Sequence, residues 1–558
     1  MPDTKLTPRR IADAYVEQVA AQDPATAQWL GDPVGLDRLP DLSPEGYEAK
    51  AELDRGTLAL LDAAPAGEGP VEAACARLLR ERLTAELACH DAGDHFIGLR
   101  TLHTPVQQLR RIFTLMDTGT ADDWSHVANR LRALPDALDG FRTTLSEGIS
   151  RGLLSAPRQV DGVIEQLTAW TGEESGTASW FTGFVADGPE RQRAELDEAA
   201  LRATAAIAEF RDWLRSDYAP AAVGVPDAVG RERYLRSARR STGADVDLAE
   251  AYAWGWSEFH RTLAEMEDAA RRVLPGASLA EAVTHLNEHG HRIEGEEGIR
   301  SWLQELIEEA IEALDGTHFD IAGPLRRVET LIAPPGSSVA PHYSGPSMDF
   351  GRPGRTYLPT LGQQSFPTWR LVSTWYHEGV PGHHLQLAQW VTRQDELSRY
   401  QVTLGKVSAN VEGWALYAER LMHELGFLAD PGRYLGYLGK QMLRIIRVII
   451  DIGMHLRLAI PADSPFHPGE QWTPELGLAF MAAYEGSTPA RQLGEVTRYL
   501  GLPGQAIGYK LGERAWLAGR AAAQQRRGAA FDLKSWHMAA ISQGSFGLDD
   551  LTDNLAGL

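Results

Sequence analysis

Three histidines and a glutamate fall within eight residues in Trp375-Tyr376-His377-Glu378-Gly379-Val380-Pro381-Gly382-His383-His384. Imidazole nitrogens and carboxylates are the ordinary ligands of hydrolytic Zn²⁺, and a glutamate beside the first ligand is its ordinary general base. In H-E-x-x-H the four-residue spacing is about 400° of helical rotation, so both rings share one face. Here His377 and His383 are six apart, which on an ideal helix turns the rings away from each other. Pro381 supplies a cause, because it cannot donate to the carbonyl of His377 and crowds it, and Gly382 permits unusual backbone angles. A bulge or kink that absorbs two residues would return His383 to the face of His377. His384 lies on that face without a bulge, but about 10.5 Å farther along the axis, near the limit for two rings sharing an ion. His383 is therefore the preferred ligand, with His384 as the alternate or an outer partner.

A catalytic zinc needs a third protein ligand and an open position. Glu412, in Ser408-Ala409-Asn410-Val411-Glu412-Gly413-Trp414, follows His377 by 35 residues, enough for one helix, a turn and the start of an antiparallel helix. Glu419 and His423 share its face and are read either as further site groups or as a solvated stripe. The stretch Gln441–His455 is apolar except for Arg444, Arg447, Asp451 and His455, which fall in one stripe. Buried ionisable groups need partners, so these form an internal network or line a cleft, with His455 or Arg447 facing substrate or its developing oxyanion. Tyr509, in Leu502-Pro503-Gly504-Gln505-Ala506-Ile507-Gly508-Tyr509-Lys510, could donate to a tetrahedral intermediate, and Tyr343, Tyr357 and Trp375 could wall the substrate cleft. His285, His289 and His291 include a regular i, i+4 pair, but lie in a polar, glutamate-rich stretch that reads as surface.

The elements that must position these groups are mostly helical. Residues 44–64, 70–91, 121–151, 190–217, 246–273 and 279–314 carry apolar residues at three- and four-residue spacing, as do 367–392, 403–426, 433–460, 473–485, 488–500, 503–526 and 530–543. Breakers stand at Ala64-Pro65-Ala66-Gly67, between Pro220 and Pro226, at Pro275-Gly276 and at Pro334-Pro335-Gly336. The exception is 317–366, where 328–333 and 355–359 read as short strands, a small sheet directly before the His-Glu helix. The expected architecture is mainly α and two-lobed. Residues 1–235 form a helical N-terminal lobe, and 236–558 a catalytic lobe holding the sheet (317–366) and the metal-site helices (367–460), joined as one compact unit.

Bulk properties narrow the function. The 558 residues carry a net charge of −22, which argues against a nucleic-acid partner because a phosphate backbone needs a basic face. Cys75 and Cys89 are too far apart along one helical region to bridge, and no run of eighteen apolar residues occurs, so no transmembrane segment is expected. The simplest placement is cytoplasmic. Oligomeric state is open.

His377-Glu378-Gly379-Val380-Pro381-Gly382-His383-His384, Asn410-Val411-Glu412-Gly413-Trp414, the Arg447–Asp451–His455 helix and the segment ending in Tyr509-Lys510 together resemble the bacterial family called domain of unknown function 885. That family looks like a distant relative of the helical zinc peptidases that include angiotensin-converting enzyme, thimet oligopeptidase and Taq carboxypeptidase, which carry H-E-x-G-H and a glutamate ligand on the next helix. The resemblance implies a zincin-like fold, His377, His383 and Glu412 as ligands of one Zn²⁺ per chain, and Glu378 as base. Setting the family's Gly-His on Gly382-His383 makes this chain a two-residue insertion. The expected activity is a zinc metallopeptidase that cleaves amide bonds of short peptides through a metal-activated water. The alternatives are a non-peptide metal-dependent hydrolase or tailoring enzyme, and a catalytically degenerate peptide-binding protein.

Overall fold

Proline begins many of these helices, where its missing N–H costs nothing, and a side chain often caps the turn before it. Asp430 accepts from the amide of Arg433 at the start of Pro431–Leu456, and Thr473 does the same for Pro474–Tyr484. The computed structural model describes residues 6–65, 69–173, 176–334 and 340–558; the expected breakers at Ala66-Gly67 and Pro335-Gly336 lie outside the described residues. The protein is mainly α, with five short strands in two small sheets among the described residues.

The chain divides into two units. The first comprises Met1–Val229 with Leu493–Leu502. Its core gathers Trp124, Leu131, Leu138, Phe141 and Leu145 of the Ala121–Arg151 helix against Val160, Leu167, Ala203, Ile207 and Phe210. Cys75 and Cys89, both in this unit, are buried and form no disulfide with each other.

The second unit comprises Gly230–Gln492 and Pro503–Leu558 and holds every candidate site residue. Its elements that matter below are β1 (Arg292–Glu294), α1 (Glu296–Leu314), β2 (Val328–Ile332), β3 (His342–Ser344), β4 (Gly354–Leu358), β5 (Ser365–Pro367), α2 (Leu371–Glu378), α3 (His383–Thr392), α4 (Ser408–Glu424), α5 (Pro431–Leu456) and α6 (Gly508–Arg527). Two expected single helices are each broken. Residues 279–314 form Leu279–His289 and then α1, with β1 between, and 367–392 form α2 and α3. In the first case Gly290 and Gly295 stop the helical ladder, and β1 pairs antiparallel with β5. The main sheet has the order β2-β4-β3, with β2 parallel and β3 antiparallel to the central β4.

Along α5 nearly every residue from Gln441 to His455 is buried, so this helix is the axis of the unit. The Oδ2 of its Asp451 accepts from the hydroxyl of Tyr234 at 2.8 Å and from the amide of Gly504 at 2.9 Å. Helices α4 and α6 touch backbone to backbone. A Cβ on Gly413 would lie 2.4 Å from the carbonyl carbon of Gly512, and one on Gly512 would lie 2.0 Å from the carbonyl oxygen of Ala409. The rear of α4 is held by Tyr417, whose hydroxyl donates to His537 Nε2 at 2.7 Å while His537 Nδ1 donates to the carbonyl of His318 at 3.2 Å.

Both nitrogens of His537 are therefore spent in the neutral form. Burial, only partly offset by the His318 carbonyl, holds its pKa down at about 3 against an ordinary 6.5. The unfolded chain takes up this proton near pH 6.5 and the folded chain does not, so the stability His537 contributes is full above pH 6.5 and is lost as pH falls toward 3. Urea unfolding of H537Q is expected to lose stability less steeply than wild type between these limits, by about one proton's worth of slope.

Candidate metal centre

The site is made by the break between α2 and α3. Helix α2 ends at Glu378, residues 379–382 turn, and α3 begins at His383. The expected bulge is thus a full interruption. The amide of Gly382 donates to the carbonyl of Tyr376 at 3.0 Å, and that of His384 to Gly379 at 3.1 Å. Gly382 cannot be any other residue here, because a Cβ would lie 2.0 Å from the carbonyl oxygen of His377. From α4 the indole of Trp414 donates to the carbonyls of Pro381 at 3.0 Å and Gly382 at 3.1 Å. One side chain thereby pins the interruption to the helix that carries Glu412, two residues earlier.

As a result the rings of His377 and His383 meet nearly edge to face, with centroids 4.7 Å apart. Glu412 Oε2 lies 3.4 Å from His377 Nε2 and 3.6 Å from His383 Nε2. Glu412 is half-buried, and its buried Oε2 has no hydrogen-bond partner. The ligating atoms of the three residues all fall within 4.8 Å of one another, and this is the one such group among the described residues. Tetrahedral coordination with bonds of about 2.0–2.1 Å has ligand-to-ligand edges of about 3.3–3.4 Å. The His377 separation matches that edge and the His383 separation is slightly longer, so the donor set fits a metal ion.

Behind His377 stands a second carboxylate. Glu419, wholly buried, accepts from His377 Nδ1 at 2.9 Å and from the hydroxyl of Ser373, and its Oε1 lies 3.8 Å from Arg444 Nη2. This fixes the tautomer that leaves Nε2 of His377 aimed at the triad. Burial works to lower the pKa of His377, but the carboxylates of Glu412 and Glu419 outweigh it and raise it to about 9. Burial likewise pushes Glu412 upward, and His377 and His383 reverse this, holding it well below the usual carboxylate range. Glu378 is buried at the last position of α2, and its charge also acts on His377.

The other expected residues lie as follows. His384 has both nitrogens engaged elsewhere: Nε2 donates to the carbonyl of Leu325 at 2.9 Å and Nδ1 accepts from the hydroxyl of Tyr343 at 3.0 Å. Burial lowers its pKa to about 4, which keeps it neutral in that role. Tyr343, on β3, also faces the ring of His383 at 6.5 Å. Tyr357 on β4 stacks on His342 at 4.8 Å. Trp375, expected at a cleft wall, has no exposed surface and donates its indole N–H to Thr330 Oγ1 at 3.3 Å, so it braces α2 against β2. Arg447 covers the ring of Tyr509 at 4.7 Å. His455 is wholly buried, with Nε2 3.6 Å from Asp451 Oδ1 and its ring beside Tyr234. His285 and His289 face each other at 5.1 Å, away from any such group. Sequence reading missed Ser373 and left Glu419 undecided; their signals were that Ser373 precedes His377 by one turn, and that Glu419 follows Glu412 by two.

Residues 24–555 match the family of bacterial proteins of unknown function DUF885. The chain belongs to that family. Two solved structures share its fold. A candidate lipoprotein from Colwellia psychrerythraea superposes with a TM-score of 0.85 at 19% identity, over 99% of this chain and 98% of that one. A candidate lipoprotein of unknown function from Shewanella oneidensis gives 0.76 at 18%, over 98% and 99%. A Pyrococcus furiosus carboxypeptidase aligns at a TM-score of only 0.39 with 13% identity, over 99% of this chain and 95% of that one. No curated protein matches the chain. Among the described residues of this DUF885 chain, no helix is long and apolar enough to cross a membrane.

Metal content of purified protein, read by elemental mass spectrometry, should fall in H377A, H383A and E412A and persist in H384A. E419Q keeps all three ligands but removes the negative partner of His377, and should weaken metal affinity about 10–100-fold. G382A should lose metal as well, because its Cβ forces apart the turn that brings His383 to His377.

Proposed function

We propose that this DUF885 chain is a zinc-dependent hydrolase that cleaves amide bonds of short peptides. The observation that carries the reading is the convergence of His377, His383 and Glu412, from three separate helices, with Glu378 adjoining the first ligand. Two imidazoles and one carboxylate leave a tetrahedral ion with one open position, the arrangement of a catalytic rather than a structural site.

When bound there, the ion would supply Lewis acidity, lowering the pKa of a coordinated water and polarising the scissile carbonyl. Glu378 takes the proton of the attacking water and delivers it to the leaving nitrogen, so that the amine departs neutral. Glu419 and Ser373 hold His377 in register throughout and exchange no proton with the substrate. Arg447 and Tyr509 are the pair assigned to the developing oxyanion, a cation lying on a phenol ring whose hydroxyl can donate. His455, buried beside Asp451 and Tyr234, is assigned to the support of α5. Tyr343 and Tyr357, half-buried on adjacent strands, are assigned to substrate binding.

Glu378→Gln tests the base without touching a ligand. Turnover of a peptide library by the zinc-loaded protein is expected to fall by about 10²–10⁴-fold while zinc content stays at the wild-type level. Peptide turnover retained in that variant would overturn the mechanism, and turnover of acyl esters without peptides would overturn the substrate class.

A further inference from the structure

Four cations gather where α5 packs on the entry to α2. The helices meet at Gly436, where a Cβ would lie 2.2 Å from the carbonyl oxygen of Trp369 and 3.2 Å from Arg370 Cα. Lys440 and Arg444 follow on the same face of α5, one and two turns along. Arg370 lies over the ring of Trp369 at 4.4 Å and donates Nη1 to the carbonyl of Gly486 at 3.3 Å. Arg491 follows that loop by five residues, and its charge acts on both Arg370 and Lys440.

Little negative charge answers them. Glu419, 3.8 Å from Arg444 Nη2, is already shared with His377 and Ser373. Glu485 acts on Arg370 from the loop beside it. Arg370, Lys440 and Arg491 make no ion pair among the described residues, and the buried Nε of Arg444 has no partner. Burial, followed by the like charges of Arg444 and Arg491, lowers the pKa of Lys440 to about 7. Like charges brought together and partly desolvated raise the free energy of the fold unless a counter-charge joins them. In a chain of net charge −22 this gathering is not a by-product of composition.

We propose that Arg370, Lys440, Arg444 and Arg491 form a receptor for one small oxyanion, a phosphate or a carboxylate. Guanidinium forks and an ammonium supply the charge-assisted donors that such an oxyanion accepts. Exposure rises from buried Arg444 through half-buried Arg370 and Lys440 to exposed Arg491, which gives the anion a way in from solvent. The proposal is independent of the metal triad. The two sites meet at Glu419, the carboxylate that orients His377, which Arg444 reaches and whose charge acts on Lys440.

Isothermal titration of the full chain with inorganic phosphate, in chloride buffer at constant ionic strength, tests it. One phosphate per chain is expected to bind saturably, roughly tenfold more weakly in R370Q or K440Q. R491Q, changed at an exposed position that leaves the core intact, should weaken it severalfold, and E485Q should tighten it. Absence of saturable binding, wild-type affinity in both R491Q and K440Q, or equal displacement by chloride would overturn the receptor. Competition with a short peptide names the source of the anion. Displacement by the free acid and not by its C-terminal amide assigns the receptor to a peptide carboxylate, and displacement by neither assigns it to a free oxyanion. Equal displacement by both would overturn the proposal, because the amide carries no terminal charge.

Discussion

The site depends on holding a broken helix in one shape. An imidazole six residues after another cannot share its ion on a continuous helix, so α2 must stop and α3 must restart at a set angle. Pro381 removes the donor that would continue the ladder, Gly382 accepts a carbonyl where a Cβ would sit, and Trp414 clamps the two freed carbonyls from the neighbouring helix. Without that indole, two buried acceptors would lose their donor, each costing about 1–3 kcal/mol. The same clamp ties Glu412 to the turn, so the third ligand and the break move together.

A second constraint is the placement of charge in a dry interior. Helix α5 carries Arg444, Arg447, Asp451 and His455 through the middle of an apolar unit, and their costs are met differently along its length. At the inner end Tyr234 and Gly504 both donate to Oδ2 of Asp451. In the middle Arg447 lies on Tyr509. At the other end Arg444 donates to the carbonyl of Lys440 at 3.2 Å and reaches Glu419, which His377 already claims. The charge at this end of α5 is thus coupled through Glu419 to His377 of the metal triad.

Close backbone approach gives these groups their precision. Gly413 against Gly512, and Gly436 against Trp369, let three helices pack without intervening side chains. Positions next to such crossings have little freedom, and Glu412 and Lys440 sit one residue and one turn away from them. A catalytic geometry is best held by elements that cannot slide.

Much of this was legible in the residues themselves. The helical class, the strands at Val328–Ile332 and Gly354–Leu358, and the special character of the His377–His384 stretch follow from periodicity, β-branching and rare side-chain combinations, which are local properties of the chain. What tertiary structure decided is nonlocal. It made the interruption a full break, gave His384 to Leu325 and Tyr343, buried Trp375 behind the sheet, and turned Glu419 from a helix-face residue into the partner of His377. In each case the outcome was set by a carbonyl, hydroxyl or ring from another segment, more than thirty residues away. Sequence spacing locates which side chains can share a face; which of them share an ion depends on donors and acceptors that only folding brings within reach.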